Sequence, residues 1–408
     1  MTLAGGLPEH TAAAAPEALA DVVFTFSYES FADAHRRGMM RPPDRLVSTL
    51  MVHPGVRRLL VADPYRSWGS AWARAIIDRP HTPRPTERLA LVRPRRLARA
   101  DPEAIEDIER TYRRYERALI RSSERAGLDA PYLITTNPLV AGFADADWTS
   151  GVLYYGRDDW LSSPARRRYW PAYREAYRRI AERGHAVAAV SGEIIERIGP
   201  TGPHAVVPNG IEPAEWLQQQ PTPPDWYARI PAPRAVYVGT LDSRLDVDGI
   251  RELATRRPEL QIVLIGPAPD ARFLAPLRPL RNVHTRGLIG RTEIVAVLRN
   301  AELTLLAHRR TALTEAMSPL KVFEYLAAGR TVLATDLRPL HGLGDRVLLT
   351  PTVADFADRV DEALGLGAQT EAERRAYIAD NAWPSRHRQI LRLLPPRSAS
   401  PHAPSLGS

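Results

Sequence analysis

Lys321 is the only lysine in a chain of 408 residues; every other basic side chain is arginine or histidine. It stands in Ser318-Pro319-Leu320-Lys321-Val322-Phe323-Glu324, three residues before an acid. An ammonium is a compact point charge, well matched to a phosphate. Ser318 reads as a helix N-cap with Pro319 at the first helical position, where its missing N–H costs nothing. A cation in that first turn opposes the helix dipole by roughly 0.3–1 kcal/mol. A phosphate bound there would remove the conflict, because free N–H groups and Lys321 would face one anion together. The same residues also read as a solvated Lys321–Glu324 pair on one helix face, and both readings stay open. His308, in Ala307-His308-Arg309-Arg310, is read first as a surface histidine and second as a sugar or phosphate contact. Asp158 and Asp159 follow the run Gly151-Val152-Leu153-Tyr154-Tyr155. Carboxylates beyond the C-terminal end of a strand can orient or deprotonate a hydroxyl. Asp159 is the better placed of the two to cap the next helix, which leaves Asp158 as the candidate for chemistry.

These residues need strands and helices to hold them. Leu303–Leu306 is an apolar run of the buried-strand kind, followed by a polar loop from His308 to Met317. The helix that follows carries Leu320, Phe323, Leu326 and Ala327 on one face and ends at Gly329; Thr331–Thr335 is the next strand. A first strand, Asp21–Phe26, leads into a loop with Tyr28. Arg57–Ala62, Pro131–Thr136, Gly151–Tyr155 and Ala186–Ser191 are further strands. A Pro/Arg-rich stretch, Arg79 to Arg99, leads into a charged helix from Asp101 to Arg125. His204-Ala205-Val206-Val207-Pro208-Asn209-Gly210 is a strand ending in a turn. Trp216 to Pro233, dense in Gln and Pro, reads as a linker or surface loop. A second series opens with Arg234–Val238 and turns at Gly239-Thr240, where backbone can approach a phosphate closely. Gln261–Ile265 and Asn282–Ile289 continue it. The alternation predicts an α/β chain of two doubly wound parallel-sheet domains, over 21–210 and 211–370. Residues 371–394 read as a final helical segment interrupted by Pro384, and 1–20 and 395–408 as disordered ends.

Composition narrows the classes. There is no cysteine, which excludes disulfides, thiolate metal sites and Cys nucleophiles. No apolar run approaches the roughly 18 residues a membrane span needs, and the N-terminus lacks the features of a secretory signal. A cytoplasmic address is expected by elimination. Residues 31–125 hold 21 Arg against 12 acids, more than the whole-chain net charge of +8. That segment either builds amphipathic helices or meets an anionic surface, such as the inner face of the cell membrane. Nucleic acid is not expected, since no aromatic interleaving or binding motif accompanies the charge. No Gly-x-Gly-x-x-Gly follows a strand, which disfavours a dinucleotide oxidoreductase.

Ser318-Pro319-Leu320-Lys321-Val322-Phe323-Glu324-Tyr325-Leu326-Ala327-Ala328-Gly329 followed by a strand resembles the donor-site motif of group 1, nucleotide-sugar-dependent glycosyltransferases of the GT-B fold, in their teichuronic-acid-type branch. Val207-Pro208-Asn209-Gly210-Ile211 is similar to the segment that enters the interdomain cleft in that family. The resemblance implies two Rossmann-like domains facing a cleft, with the last helix crossing back to the first. It implies that Glu324 holds ribose hydroxyls, that the backbone of Gly287, Leu288 and Ile289 holds the base, and that Arg244 binds the diphosphate with Lys321. Gly239, Thr240, Ser318, Pro319 and Leu320 would complete the donor side, with His308. The family's Glu-x7-Glu pattern places its first acid at position 316, which is Ala316; Glu315, one residue earlier, is the candidate for the donor sugar. Tyr28, Arg157, Asp158, Asp159 and Asn209 would lie on the acceptor side, with Asp158, Lys321 and Arg244 as the catalytic set.

The expected reaction is sugar transfer with retention from a nucleotide-diphosphate sugar to a glycan, lipid-linked or small-molecule acceptor, in cell-surface polysaccharide or glycoconjugate synthesis. No cofactor is expected, and no metal beyond a loose Asp246-Val247-Asp248 match. The alternatives are a nucleotide-sugar epimerase of the same fold and a degenerate nucleotide-binding scaffold.

Overall fold

The computed structural model describes residues 20–69 and 84–395. Two wholly parallel sheets dominate it. The first contains β1 (Ala20–Thr25), β2 (Val56–Ala62), β4 (Leu89–Val92), β6 (Tyr132–Thr135), β7 (Gly151–Gly156), β8 (Ala186–Ala189) and β9 (His204–Val206), in the order β4-β2-β1-β6-β7-β8-β9. A two-stranded ribbon, β3 (Arg66–Ser67) with β5 (Arg95–Arg96), stands beside it. The second sheet contains β10 (Arg234–Val238), β11 (Gln261–Ile265), β12 (Val283–Arg286), β13 (Leu303–Leu306), β14 (Val332–Thr335) and β15 (Val347–Thr350), in the order β12-β11-β10-β13-β14-β15. The central strands are short apolar runs because helices cover both faces: Leu133, Ile134, Leu303 and Leu305 are all fully buried.

Each sheet reverses its winding beside its first strand. β1 pairs with β2 on one side and β6 on the other, and β10 pairs with β11 and β13. Loops leaving such strands part at a crevice, the usual place for a ligand in an open α/β sheet. Tyr28 follows β1, Gly239 follows β10 and His308 follows β13.

The helix Ile105–Arg125 shows how a strongly charged segment still folds. Ile108, Tyr112, Tyr115 and Leu119 recur at helical spacing and are buried, while its arginines lie on the other faces. Three local expectations change. Arg79 to Arg99 contains the edge strand β4 and the short β5, hidden in the sequence by flanking Arg and Pro; its first part, through residue 83, lies outside the described residues. Trp216 to Pro233 is packed rather than a free linker: Trp216 and Tyr227 are fully buried in the second domain's core. Two single-turn helices, Pro213–Trp216 and Asp225–Ala228, seat them. The expected break in the last helical segment falls at Asn381 and Ala382, slightly before Pro384, which sits in the first turn of Trp383–Leu391 after the helix Glu371–Asp380 has ended. That final helix leaves the second sheet. Ile390, Leu391 and Leu394 join the first core, and His387 Nδ1 lies 2.5 Å from Thr49 Oγ1 on the helix Pro42–Val52.

Candidate functional site

The loops after β10 and β13 are zipped together. Asp246 N donates to Ala307 O (2.9 Å), Arg309 N to Arg244 O (2.7 Å), and Leu245 bridges His308. This holds His308 inside the protein, only 2% exposed, so the surface reading of that histidine is corrected. On the next connection, Leu320–Ala327 forms an eight-residue helix whose N-cap is Pro319, one residue later than the sequence implied. Ser318 is therefore not the cap. Its hydroxyl and carbonyl instead accept from Asn209, backbone N at 3.3 Å and Nδ2 at 2.7 Å, joining the turn after β9 to the start of the helix Leu320–Ala327. Ser191 Oγ, beyond β8, makes a second bridge to Ala316 O at 3.1 Å.

Lys321 points to the crevice end of β10. Its Nζ donates to Tyr237 Oη (2.8 Å), lies 3.3 Å from His308 Nε2, and stands 4.1 Å from the centre of the Tyr237 ring. It makes no ion pair among the described residues. Burial, and then the nearby Arg244 charge, lowers its pKa to about 7. His308 is driven well below its ordinary value by burial, Lys321 and Arg244, and is neutral. Burial raises the Tyr237 phenol, so it too is uncharged. The ammonium thus has only neutral hydrogen-bond partners, the Asp242 and Glu324 carboxylates acting on it from farther off, and an anion at the helix start would complete it. Gly239 leaves room for that: its φ is +150°, and an added Cβ would fall 2.5 Å from Lys321 Nζ.

Lys321 and Glu324 do not pair, which removes the solvated-pair reading. Glu324 Oε1 lies 2.7 Å from Arg291 Nη2, and Arg291 also holds Glu215 Oε2 through Nε (2.8 Å) and Nη2 (2.6 Å). Arg244 forms a fork with Asp242, at 2.9 and 2.7 Å. Glu315 pairs with Arg310 and accepts from Arg338 N (3.0 Å), whose side chain reaches toward Glu193 beyond β8. In the loop after β12, Gly287 and Leu288 are exposed, Leu288 at 82%, while Ile289 packs on the second core. Asp246 is occupied as the cap of Val247–Arg256, and Asp248 meets Arg309 (3.2 Å). Among the described residues no three His, Asp or Glu gather as metal ligands.

In the first domain, in the loops after β1 and β7, Tyr28 donates to Asp158 Oδ2 (3.3 Å) and accepts from Arg157. The guanidiniums of Arg157 and Arg166 lie over its ring at 5.0 and 5.2 Å, and Arg166 also covers Trp160 at 4.6 Å. Asp158 is half exposed and bonded to Arg157 at 3.1 Å. Asp159 does not join this group. Its carboxylate is buried, accepts from Leu161 N (3.1 Å) and pairs with Arg197 (3.1 Å), so it fixes the turn. Tyr237, Asp242, Ser191 and Arg291 were missed from the sequence. Tyr237 looked like one more apolar strand residue, and Arg291 carries no local mark among so many arginines.

Residues 232–365 match the family model described as Glycosyl transferases group 1. The putative teichuronic acid biosynthesis glycosyltransferase TuaH of Bacillus subtilis (strain 168) is 28% identical over 171 residues, a match spanning 38% of this chain and 41% of that protein. The fold is shared with sucrose-phosphate synthase from Thermosynechococcus elongatus, at TM-score 0.62 and 15% identity over 91% of this chain and 98% of that one. An E. coli trehalose-6-phosphate protein bound with UDP-2-fluoro glucose superposes with TM-score 0.61 at 12% identity, covering 94% of this chain and all of the other. Such likeness establishes the GT-B arrangement of two Rossmann-like domains.

Proposed function

We propose that this protein moves a sugar from a nucleoside diphosphate sugar to an acceptor hydroxyl, a reading supported by the match of residues 232–365 to the group 1 glycosyl transferase model and by the GT-B fold. One observation carries the reading: Lys321, at the start of its helix, is hydrogen-bonded only to neutral groups and makes no ion pair among the described residues. The diphosphate would lie against Lys321, the first N–H groups of Leu320–Ala327 and the backbone at Gly239-Thr240. Arg244, released in part from Asp242, would add a second cation. As the bond to the anomeric carbon breaks, negative charge grows on the diphosphate, and a lysine with a pKa of about 7 becomes fully protonated against it. Glu324 would take the ribose hydroxyls, and the backbone from Gly287 to Ile289 the base. Asp158, beside Tyr28 and Arg157, would orient the acceptor. This chemistry needs no metal, and retention is the outcome we expect by likeness.

We place the acceptor among cell-surface glycans, on the name of the Bacillus subtilis relative. Among the described residues no helix is long and apolar enough to cross a membrane. The first domain nevertheless has a face suited to an anionic bilayer. Trp68 is 56% exposed there, and Arg95 stacks on it at 5.0 Å. Arg121 and Arg125 line the same groove as Trp68 and Arg95. By contrast, Arg37 is paired with Asp44 and Arg57 with Asp21. Sedimentation with phosphatidylglycerol vesicles, absent with phosphatidylcholine vesicles and lost in R121S/R125S, is the expected result.

The donor site is tested by thermal shift with UDP, GDP, ADP and dTDP on the wild type, Lys321→Ala and Glu324→Ala. A ligand at 100 times its dissociation constant stabilises by about 2.7 kcal/mol. One nucleotide should shift the wild type and neither variant. No shift with any of the four would refute the donor assignment.

A further inference from the structure

We propose that Arg291 is the positioning residue for the Glu324 carboxylate, and that it keeps that carboxylate off Lys321 and turned to the ribose. The inference rests on the donor-site reading above and deepens it.

Arg291 opens the helix Arg291–Arg299, directly after the loop that would hold the base. Its guanidinium is wedged between two acids. One Nη2 contact, at 2.7 Å, reaches Glu324 Oε1; two more, at 2.8 and 2.6 Å, fix it on Glu215 Oε2. Its Cζ lies 5.3 Å from the ring centre of the fully buried Trp216, so the guanidinium cannot swing freely. The remaining oxygen of Glu215, Oε1, accepts from Arg45 Nη2 at 3.0 Å, and Arg45 Nη1 donates to Glu212 Oε2 at 3.1 Å. Arg45 belongs to the helix Pro42–Val52 of the first domain. An alternating chain, Arg45–Glu215–Arg291–Glu324, therefore runs from one domain to the donor helix of the other.

Two consequences follow for the site. One oxygen of Glu324 is held and the other has no protein partner among the described residues, as an acceptor for hydroxyls requires. Glu324 also sits three residues from Lys321 on the same helix, the spacing at which Lys and Glu ordinarily pair. Arg291 outcompetes Lys321 for it, because a planar guanidinium anchored on a second carboxylate is already oriented. Without Arg291, Glu324 would fall back on Lys321 and occupy the cation that the diphosphate needs.

The test is calorimetric binding of UDP, GDP and ADP, each against its 2′,3′-dideoxy form, to full-length protein. Wild type should prefer one ribose nucleotide over its dideoxy form by about tenfold or more, the usual value of a charge-assisted hydrogen bond. In Arg291→Gln that preference should fall to near unity, with Arg291→Lys recovering part of it. Arg45→Ala should lower it by a smaller factor with the fold intact, and it serves if Arg291→Gln does not fold. Equal loss of affinity for both forms, with the ratio unchanged, would overturn the positioning role while leaving the donor site standing. A wild type that binds nucleotide without preferring ribose would instead refute the role of Glu324, and one that binds none would refute the donor reading itself.

Discussion

The tip of Lys321 titrates where cells live. Its folded pKa of about 7 lies below the ordinary lysine value, chiefly through burial. Between about pH 7 and the unfolded value, the unfolded chain therefore binds more protons than the folded one. Stability from this group rises with pH across that window and is diminished below it. An anion reverses the preference by favouring the charged form. Nucleotide binding near pH 7.5 should then take up a fraction of a proton, seen as a binding enthalpy that changes with the ionisation enthalpy of the buffer. Lys321→Arg, which cannot lose its charge, should show no such dependence. The two neighbouring aspartates part company at the same scale. Asp158→Asn, half exposed, should leave the melting temperature nearly unchanged and lower turnover at least tenfold. Asp159→Asn leaves Arg197 without its partner and should cost about 1–3 kcal/mol in a denaturant melt. Neighbours in sequence told little of this difference, because burial and the reach of Arg197 decide it.

At the scale of elements, much of the second domain was legible. The apolar runs, the Gly329 end and the turn at Gly239 each have a local cause, and the helix Leu320–Ala327 begins within one residue of its expected place. What sequence could not give were pairings between distant elements. His308 looks like a loop residue until the bridge from Leu245 buries it. Ser318 looks like a cap until Asn209 claims its carbonyl. Trp216 looks like part of a Pro- and Gln-rich linker, although its own bulk makes it core. The strand–turn at Gly239 offers a sharp test of how closely these elements approach. Gly239→Ala sets a methyl 2.5 Å from Lys321 Nζ and strains a φ of +150°. The expected cost is about 1–3 kcal/mol in stability, with loss of the nucleotide-induced thermal shift.

For the whole molecule, the alternation of β and α units was enough to expect two doubly wound sheets, since buried parallel strands must be short, apolar and separated by helices. The placement of one domain against the other was not legible, because it rests on many contacts between residues far apart in sequence, among them Asn209 with Ser318 and the helix Trp383–Leu391 with the first core. A chain ending after Asn381 should lose the contribution of Ile390, Leu391 and Leu394 to the first core, and bind a hydrophobic dye in its native-buffer state. The crossing of that last helix also sets a clock on synthesis. The first sheet leaves the ribosome complete at Val206, yet the residues that cover the helix Pro42–Val52 are made some 180 positions later. At ordinary translation rates that is roughly 10–40 s during which the older half waits with an open flank. The first half therefore closes only once the stretch from Trp383 to Leu394 has been made, so the older domain takes its last covering from the far side of the younger one.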